Sequence, residues 1–291
     1  MTEGRGNEIA QRLQEEGEKR GLPPRLVEFY QRLFCIQSRA EQRIGIVKPG
    51  LQRETINERI DQGLPLISFD ELALDWSLLR DIFTEVTASF ADFPDLFGEL
   101  PESLRQPKPY PSFYKKVARA WFERAKLPFT VAVDDASEYL LLEAITHAAL
   151  KPFLVNYAKA LTGLINQERW RRERCPVCNG KPDFAFLDKE SGARWLLCSR
   201  CDTEWLFQRL QCPYCGSQKQ TDLAYFTDDK GVYRLYVCEQ CHKYIKAIDL
   251  RRTGSEVLLP LERVLTLDMD RQAQEKGYQP DYAEASARLT D

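Results

Sequence analysis

The chain has 291 residues, of which 43% are hydrophobic and 11% aromatic. That is enough for one large domain plus a small one, or for two of ordinary size, and it excludes disorder as the default state. A formal net charge of -3 and a pI near 5.7 give no overall field favouring nucleic acid or an anionic membrane. The first twenty residues lack the apolar stretch of a secretory signal. The longest apolar stretch, Tyr139 to Leu150, carries Glu143 and His147 and is too short to cross a bilayer. The expectation is a cytoplasmic protein without membrane insertion, in a reducing compartment where its nine cysteines stay thiols or thiolates.

Up to residue 168 apolar residues recur at helical spacing. Leu26, Phe29, Tyr30, Leu33 and Ile36 form one stripe, and Leu79, Phe83, Val86, Phe90 and Phe93 form another. A shorter stripe runs through Phe113, Val117, Ala120 and Trp121. Between the last two, Pro94, Pro101, Pro107, Pro109 and Pro111 deny their positions helical roles and predict a surface connection. A further helix starts near Asp135, which with Glu138 makes a capping box. It is apolar on most sides through Leu140, Leu141, Leu142, Ile145, Ala148 and Ala149, which predicts a central buried helix. Pro152 is expected to kink or end it near Lys151, before a stripe through Leu154, Tyr157, Ala158, Leu161, Leu164 and Ile165.

Beyond Trp170 the pattern changes to short β-rich pieces, and eight of the nine cysteines fall there. They form four C-x-x-C pairs: Cys175/Cys178, Cys198/Cys201, Cys212/Cys215 and Cys238/Cys241. This spacing lets one tight turn present two sulfurs to one tetrahedral ion. One pair would also suit a thioredoxin-like redox site, whereas four pairs in so short a stretch point to metal. Pro176 and Pro213 preset φ for a turn, and the residues after each second cysteine are Asn179, Asp202, Gly216 and His242. Those four residue types tolerate positive φ best, as a knuckle ending in a left-handed residue requires.

The stretch also repeats. The first unit runs from Cys175 through a strand (Phe184 to Leu187), a turn at Glu190-Ser191-Gly192 and a strand (Arg194 to Leu197) into Cys198. The second runs from Cys212 through Leu223 to Phe226, a turn at Asp229-Lys230-Gly231, and Val232 to Val237 into Cys238. A further strand follows each, over Thr203 to Leu210 and Tyr244 to Leu250. Each unit is then a hairpin with a knuckle at either end, a rubredoxin or zinc-ribbon-like module. Sequential pairing follows, with Cys175, Cys178, Cys198 and Cys201 on one ion and Cys212, Cys215, Cys238 and Cys241 on the other; cross-bracing of alternate pairs is the alternative. Zinc and iron both suit four thiolates.

Other features have plainer readings. Cys238 to His242 spells C-x-x-C-H, the c-type haem motif, but the knuckle already accounts for that pair and for His242. His147 reads as a buried helix histidine and Cys35 as a small core residue. The run Arg169 to Arg174 could meet nucleic acid, but it is also placed to complement the end of a helix. Residues 169–250 hold fourteen Lys/Arg against eleven Asp/Glu, and two four-thiolate sites bring the region to about neutral, so no nucleic-acid partner is expected. The sequence holds no P-loop, dinucleotide fingerprint or nucleophile elbow. A binding protein is expected rather than an enzyme, with no catalytic residue assigned.

The stretches CPVCNGKP, CSRCDTEWLFQRLQCPYCGS and CEQCHKYIKAIDL, with GLPLI at Gly63 to Ile67 and LTLDMDRQAQEKGY near the C-terminus, resemble the formate dehydrogenase accessory proteins, the FdhE family. Asn179 stands where that family more often has glycine. The resemblance implies a cytoplasmic assembly factor that binds the catalytic subunit of a respiratory formate dehydrogenase before export. It also implies rubredoxin-like sites holding iron at the eight cysteines, where zinc would satisfy the same donors. A rubredoxin-like electron carrier and a zinc-ribbon nucleic-acid binder are the competing readings. The architecture expected is an all-α domain over 1–168, four-cysteine modules over 169–210 and 211–250, and a C-terminal helix and tail over 251–291.

Overall fold

The computed structural model describes residues 3–105, 110–128, 136–254 and 256–281. Its helices are α1 (Glu3–Lys19), α2 (Pro24–Ile44), α3 (Arg53–Gln62), α4 (Trp76–Ala91), α5 (Pro94–Phe97), α6 (Glu102–Arg105), α7 (Pro111–Glu123) and α8 (Ala136–Leu161). Six strands follow: β1 (Pro182–Leu187), β2 (Arg194–Cys198), β3 (Glu204–Leu206), β4 (Leu223–Thr227), β5 (Tyr233–Cys238) and β6 (Lys243–Asp249). Then come α9 (Leu259–Leu265) and α10 (Leu267–Glu275). An N-terminal helical region thus precedes a small sheet region bearing the cysteines. The chain divides into two compact units. One holds the described residues up to Val47 and from Ser68 to Asn156; the other holds Lys48–Ile67 and the described residues from Tyr157 onward. Residues 48–67 therefore belong with the sheet, although the sequence places them inside the helical part.

In the first unit α1 packs on α2, α2 on α4 and α4 on α7. The stripes explain this: Phe29, Leu33 and Ile36 of α2 and Leu79, Phe83, Val86 and Phe90 of α4 are all buried. Phe29 anchors an aromatic cluster, with its ring 5.0 Å from Phe90, 5.5 Å from Phe93 and 4.5 Å from Phe97. Two proline expectations need correction. Pro94 and Pro111 do not exclude helix but open α5 and α7, in the first turn where no backbone N–H is needed. Pro107 and Pro109 lie outside the described residues, as does the expected N-cap Asp135.

Pro152 does not end its helix either; α8 continues to Leu161. A proline at 152 has no N–H for the carbonyl of Ala148, four residues back. The side chain of Gln37, itself buried, donates to that carbonyl at 3.1 Å. This substitute partner removes the cost of a buried orphan acceptor and lets the helix run through.

In the second unit the strands form one sheet in the order β3-β2-β1-β6-β5-β4. The hairpins β1–β2 and β4–β5 are antiparallel, and β3 and β6 extend them, although β3 covers only Glu204–Leu206 of the stretch expected from Thr203 to Leu210. The two three-stranded modules are also joined, by parallel pairing of β1 with β6 through Phe184↔Lys246 to Leu187↔Asp249. Phe184, Phe186, Leu197, Ile248 and Leu259 form one core cluster, and Leu235, Val237, Tyr244 and Ala273 another, so α9 and α10 each supply a residue to a cluster built on the sheet.

Candidate metal centres

Each knuckle is built the same way. The residue four after the first cysteine donates its N–H back to that cysteine's carbonyl: Asn179 at 3.0 Å, Asp202 at 3.3 Å, Gly216 at 3.1 Å and His242 at 2.8 Å. Those four residues take φ values of 57°, 55°, 75° and 52°. Of the described non-glycine residues only Arg124 shares that region, so the left-handed step anticipated from residue types is the knuckle's own geometry. Inside the turn, the N–H groups of Val177, Arg200 and Tyr214 point to the first sulfur of their pairs at 3.4, 3.4 and 3.5 Å.

The hairpins then bring the pairs together in sequence, not cross-braced. Cys175, Cys178, Cys198 and Cys201 form one group and Cys212, Cys215, Cys238 and Cys241 the other, with all ligand atoms of a group within 4.8 Å of one another. Sulfur separations are 3.4 to 3.6 Å in the first group and 3.6 to 3.7 Å in the second. A tetrahedral ion with metal–sulfur bonds of about 2.3 Å requires edges of about 3.8 Å, so each group fits one such ion with little adjustment. Cys35 joins neither group; it sits half-buried on α2.

The ionisation pattern suits a divalent cation. Burial pushes the Cys175 and Cys201 thiols well up. Burial opposes ionisation of Cys198 too, but hydrogen bonds from Cys175, Cys178 and Cys201 outweigh it and hold that thiol well down. In the second group burial raises Cys212 to about 11 and also raises Cys241, while Cys215 is lowered by hydrogen bonds from the Ser217 backbone and its sister thiols. A cation bound to the sulfurs would offset the burial that opposes their ionisation.

The two groups differ in their surroundings. All four sulfur residues of the first are buried, whereas Cys215 is exposed and Cys241 half-buried in the second. The first group is also braced from outside the knuckles. Leu66 and Ile67 donate backbone N–H groups to the carbonyls of Pro176 and Val177 at 2.8 and 3.0 Å, which gives the GLPLI segment its structural task. Arg263 of α9 donates to the Cys198 carbonyl at 2.6 Å and to Asp183 at 2.8 Å, and also pairs with Asp202. Thr203 Oγ1 lies 3.0 Å from Cys201 Sγ. Gly180 lies against the same group, where a Cβ would sit 2.6 Å from Cys198 Sγ and 3.2 Å from Cys178 Sγ. Sequence reasoning did not single out Gly180, Thr203 or Arg263, and only a glycine directly after a left-handed residue offered any signal.

The remaining features take structural roles. Cys238 and Cys241 belong to the second group, and His242 serves as the left-handed residue of its knuckle. His147 stacks on Trp121 at 5.4 Å. The run Arg169 to Arg174 does not cap α8, which ends at Leu161. Instead Arg169 pairs with Asp61, Arg171 with Glu168, and the buried Trp170 donates to the Arg174 carbonyl at 2.9 Å. Among the described residues, no helix is long and apolar enough to cross a membrane.

Comparison with known proteins agrees with this site. The model of the FdhE central domain matches residues 174–209, the stretch containing the first four cysteines. The protein called FdhE homolog of Aquifex aeolicus (strain VF5) is 37% identical over 149 residues, covering 50% of this chain and 50% of that one. Its counterpart in Haemophilus ducreyi is 26% identical over 190 residues, covering 60% of each. The chain therefore spans about half to three-fifths of these relatives' lengths. The crystal structure of the FdhE protein from Pseudomonas aeruginosa superposes with a TM-score of 0.62 at 22% identity, over 97% of this chain and 95% of that one, so the fold is shared. Family model, relatives and fold converge on the FdhE proteins as what this chain is similar to.

Proposed function

We propose that the protein is a cytoplasmic accessory factor for formate dehydrogenase, binding the catalytic subunit before export and turning over no substrate of its own. The observation that carries this is a pair of four-cysteine groups in a chain similar to the FdhE proteins. Four protein ligands fill a tetrahedron, whereas a hydrolytic or Lewis-acid site keeps a position for substrate. Bound at these cysteines, an ion would hold two ends of a hairpin together, and iron would add a one-electron couple. The helical unit supplies the contact area for the client in this reading. Affinity purification from cells respiring formate should recover the dehydrogenase catalytic subunit. Deletion should abolish formate oxidation without reducing the dehydrogenase transcript. Intact formate respiration after deletion, with no related molybdoenzyme affected, sinks the proposal.

A second reading, a rubredoxin-like electron carrier, is favoured by the exposure of Cys215 and the partial exposure of Cys241. Protein prepared without oxygen separates the two. A visible ferric–thiolate absorption that a formate dehydrogenase reduces catalytically supports the carrier, and a colourless zinc protein that still restores the deletion strain excludes it.

A further inference from the structure

One cavity of the sheet unit, with a volume of 150 Å³, plays no part in holding the ions, although Cys212 and Cys238 contribute to its wall. Four cations line it, Arg194, Arg209, Arg234 and Lys243, and no carboxylate does. Arg194 is only 3% exposed, yet its hydrogen-bond partners are neutral, the backbone carbonyls of Gln208 and Gln211. Its guanidinium lies 5.2 Å from the Phe207 ring centre and 5.5 Å from that of Tyr236. Burying a guanidinium without a carboxylate is costly, and the burial pulls its pKa down to about 10.

Arg234, also buried, gives one nitrogen to Asp249 at 2.8 Å, and Lys243 pairs with Asp281 at 2.8 Å. Neither pairing exhausts the donors. Among the described residues, Arg194 Nε, Arg234 Nε and the Tyr236 hydroxyl are buried polar atoms with no hydrogen-bond partner. Buried donors are normally satisfied, so three orphans on one cavity wall call for an acceptor.

We infer that this cavity is a binding site for a small oxyanion of the phosphate or carboxylate class, held by Arg194, Arg234 and Tyr236 with Arg209 at the solvent side. Several acceptor oxygens on one anion match donors from two guanidinium groups and a hydroxyl. A water molecule there would accept hydrogen bonds but would not offset the charge. The plain alternative is that Arg194 serves only as counter-charge to the thiolates of the second centre, through Cys212.

The two are separable with protein carrying two equivalents of zinc, titrated calorimetrically with inorganic phosphate and with acetate against chloride at constant ionic strength. Saturable binding of either oxyanion, absent for chloride, is expected. Tyr236→Phe removes one donor and no volume, and should weaken binding roughly fivefold. Arg194→Gln should weaken it at least about tenfold. Arg209→Gln, at an exposed position, tests the solvent side if the Arg194 variant fails to fold. Phosphate selects a tetrahedral ligand and acetate a planar one, and both outcomes support the site. No saturable binding of either by the zinc-loaded protein, or binding unchanged in Tyr236→Phe and Arg209→Gln, overturns it and leaves Arg194 as counter-charge.

Discussion

Gly180→Ala should damage the first centre and spare the second. The backbone of Gly180 needs no left-handed φ, so alanine strains nothing there except space. Its Cβ would stand 2.6 Å from Cys198 Sγ, about 1 Å inside the optimal separation of about 3.5–4.0 Å. Cys198 has little room to yield, because the Arg200 N–H holds its sulfur at 3.4 Å and an ion would fix it from the other side. Overpacking of this kind costs about 1–3 kcal/mol, which weakens metal at the first site roughly 5- to 150-fold. The second centre supplies the control. Ser217 occupies the corresponding place, its carbonyl accepting from the Cys212 N–H at 2.8 Å as the Gly180 carbonyl does from the Cys175 N–H at 2.8 Å. A side chain is therefore tolerated at one knuckle and not at the other. Competition against a chromophoric chelator, with metal counted by native mass spectrometry, should show one equivalent lost early in the variant. Two equivalents retained with wild-type affinity would refute the steric argument.

Wild-type protein challenged with a chelator should lose metal in two phases, the second centre first, because Cys215 is exposed and Cys241 half-buried while the first set is fully enclosed; a single phase releasing both would count against this. Gln37→Leu should lower the stability of the helical unit by about 1–3 kcal/mol in urea unfolding, since it leaves the Ala148 carbonyl orphaned opposite Pro152; a neutral result would mean that water or a bend replaces the amide. Asp188 ties the β1–β2 turn by accepting from the N–H groups of Glu190, Ser191 and Ala193 at 2.9, 2.8 and 2.7 Å, and Asp188→Ala should cost about 1–2 kcal/mol. The Ser191 hydroxyl and these N–H groups hold its pKa below the usual carboxylate value, so this contribution is full above about pH 4 and lost as pH falls through the depressed pKa. The gap between wild type and variant should close on acidification; a gap that persists would place the effect elsewhere.

Much of the metal region is legible in residue order because its determinants are local. A C-x-x-C pair followed by Asn, Asp, Gly or His encodes one turn, and Gly192 and Gly231 encode the hairpin tips with φ of 68° and 65°. The helices of the first unit follow their stripes for the same reason. What escaped depends on distant partners. Gln37 rescues Pro152 from another helix. Leu66 and Ile67 clamp a knuckle more than a hundred residues away. The parallel pairing of β1 with β6 shows in burial, not in residue order: from Phe184 to Leu187 and from Tyr244 to Asp249 every residue is buried, as in a strand covered on both faces, although the second run carries Lys246 and Asp249. A hairpin standing alone would alternate.

That pairing changes what the duplication means. Two separate ribbons would each present an outer edge, and their ions would see similar surroundings. Here β1 and β6 are both interior, while β4, exposed over most of its length, and the short β3 form the edges. The first centre accordingly gains partners from α9 and from residues 66–67, and the second keeps an open side at Cys215. Metal at the first centre can be lost only when these contacts loosen, so its release should be tied to unfolding of the sheet. An ion at the second group would be open to competing ligands while the sheet stays intact, since Cys215 is exposed and Cys241 half-buried. One duplicated motif thus yields one enclosed four-cysteine group and one with an open side, because the fold buries all of the first and leaves Cys215 of the second exposed.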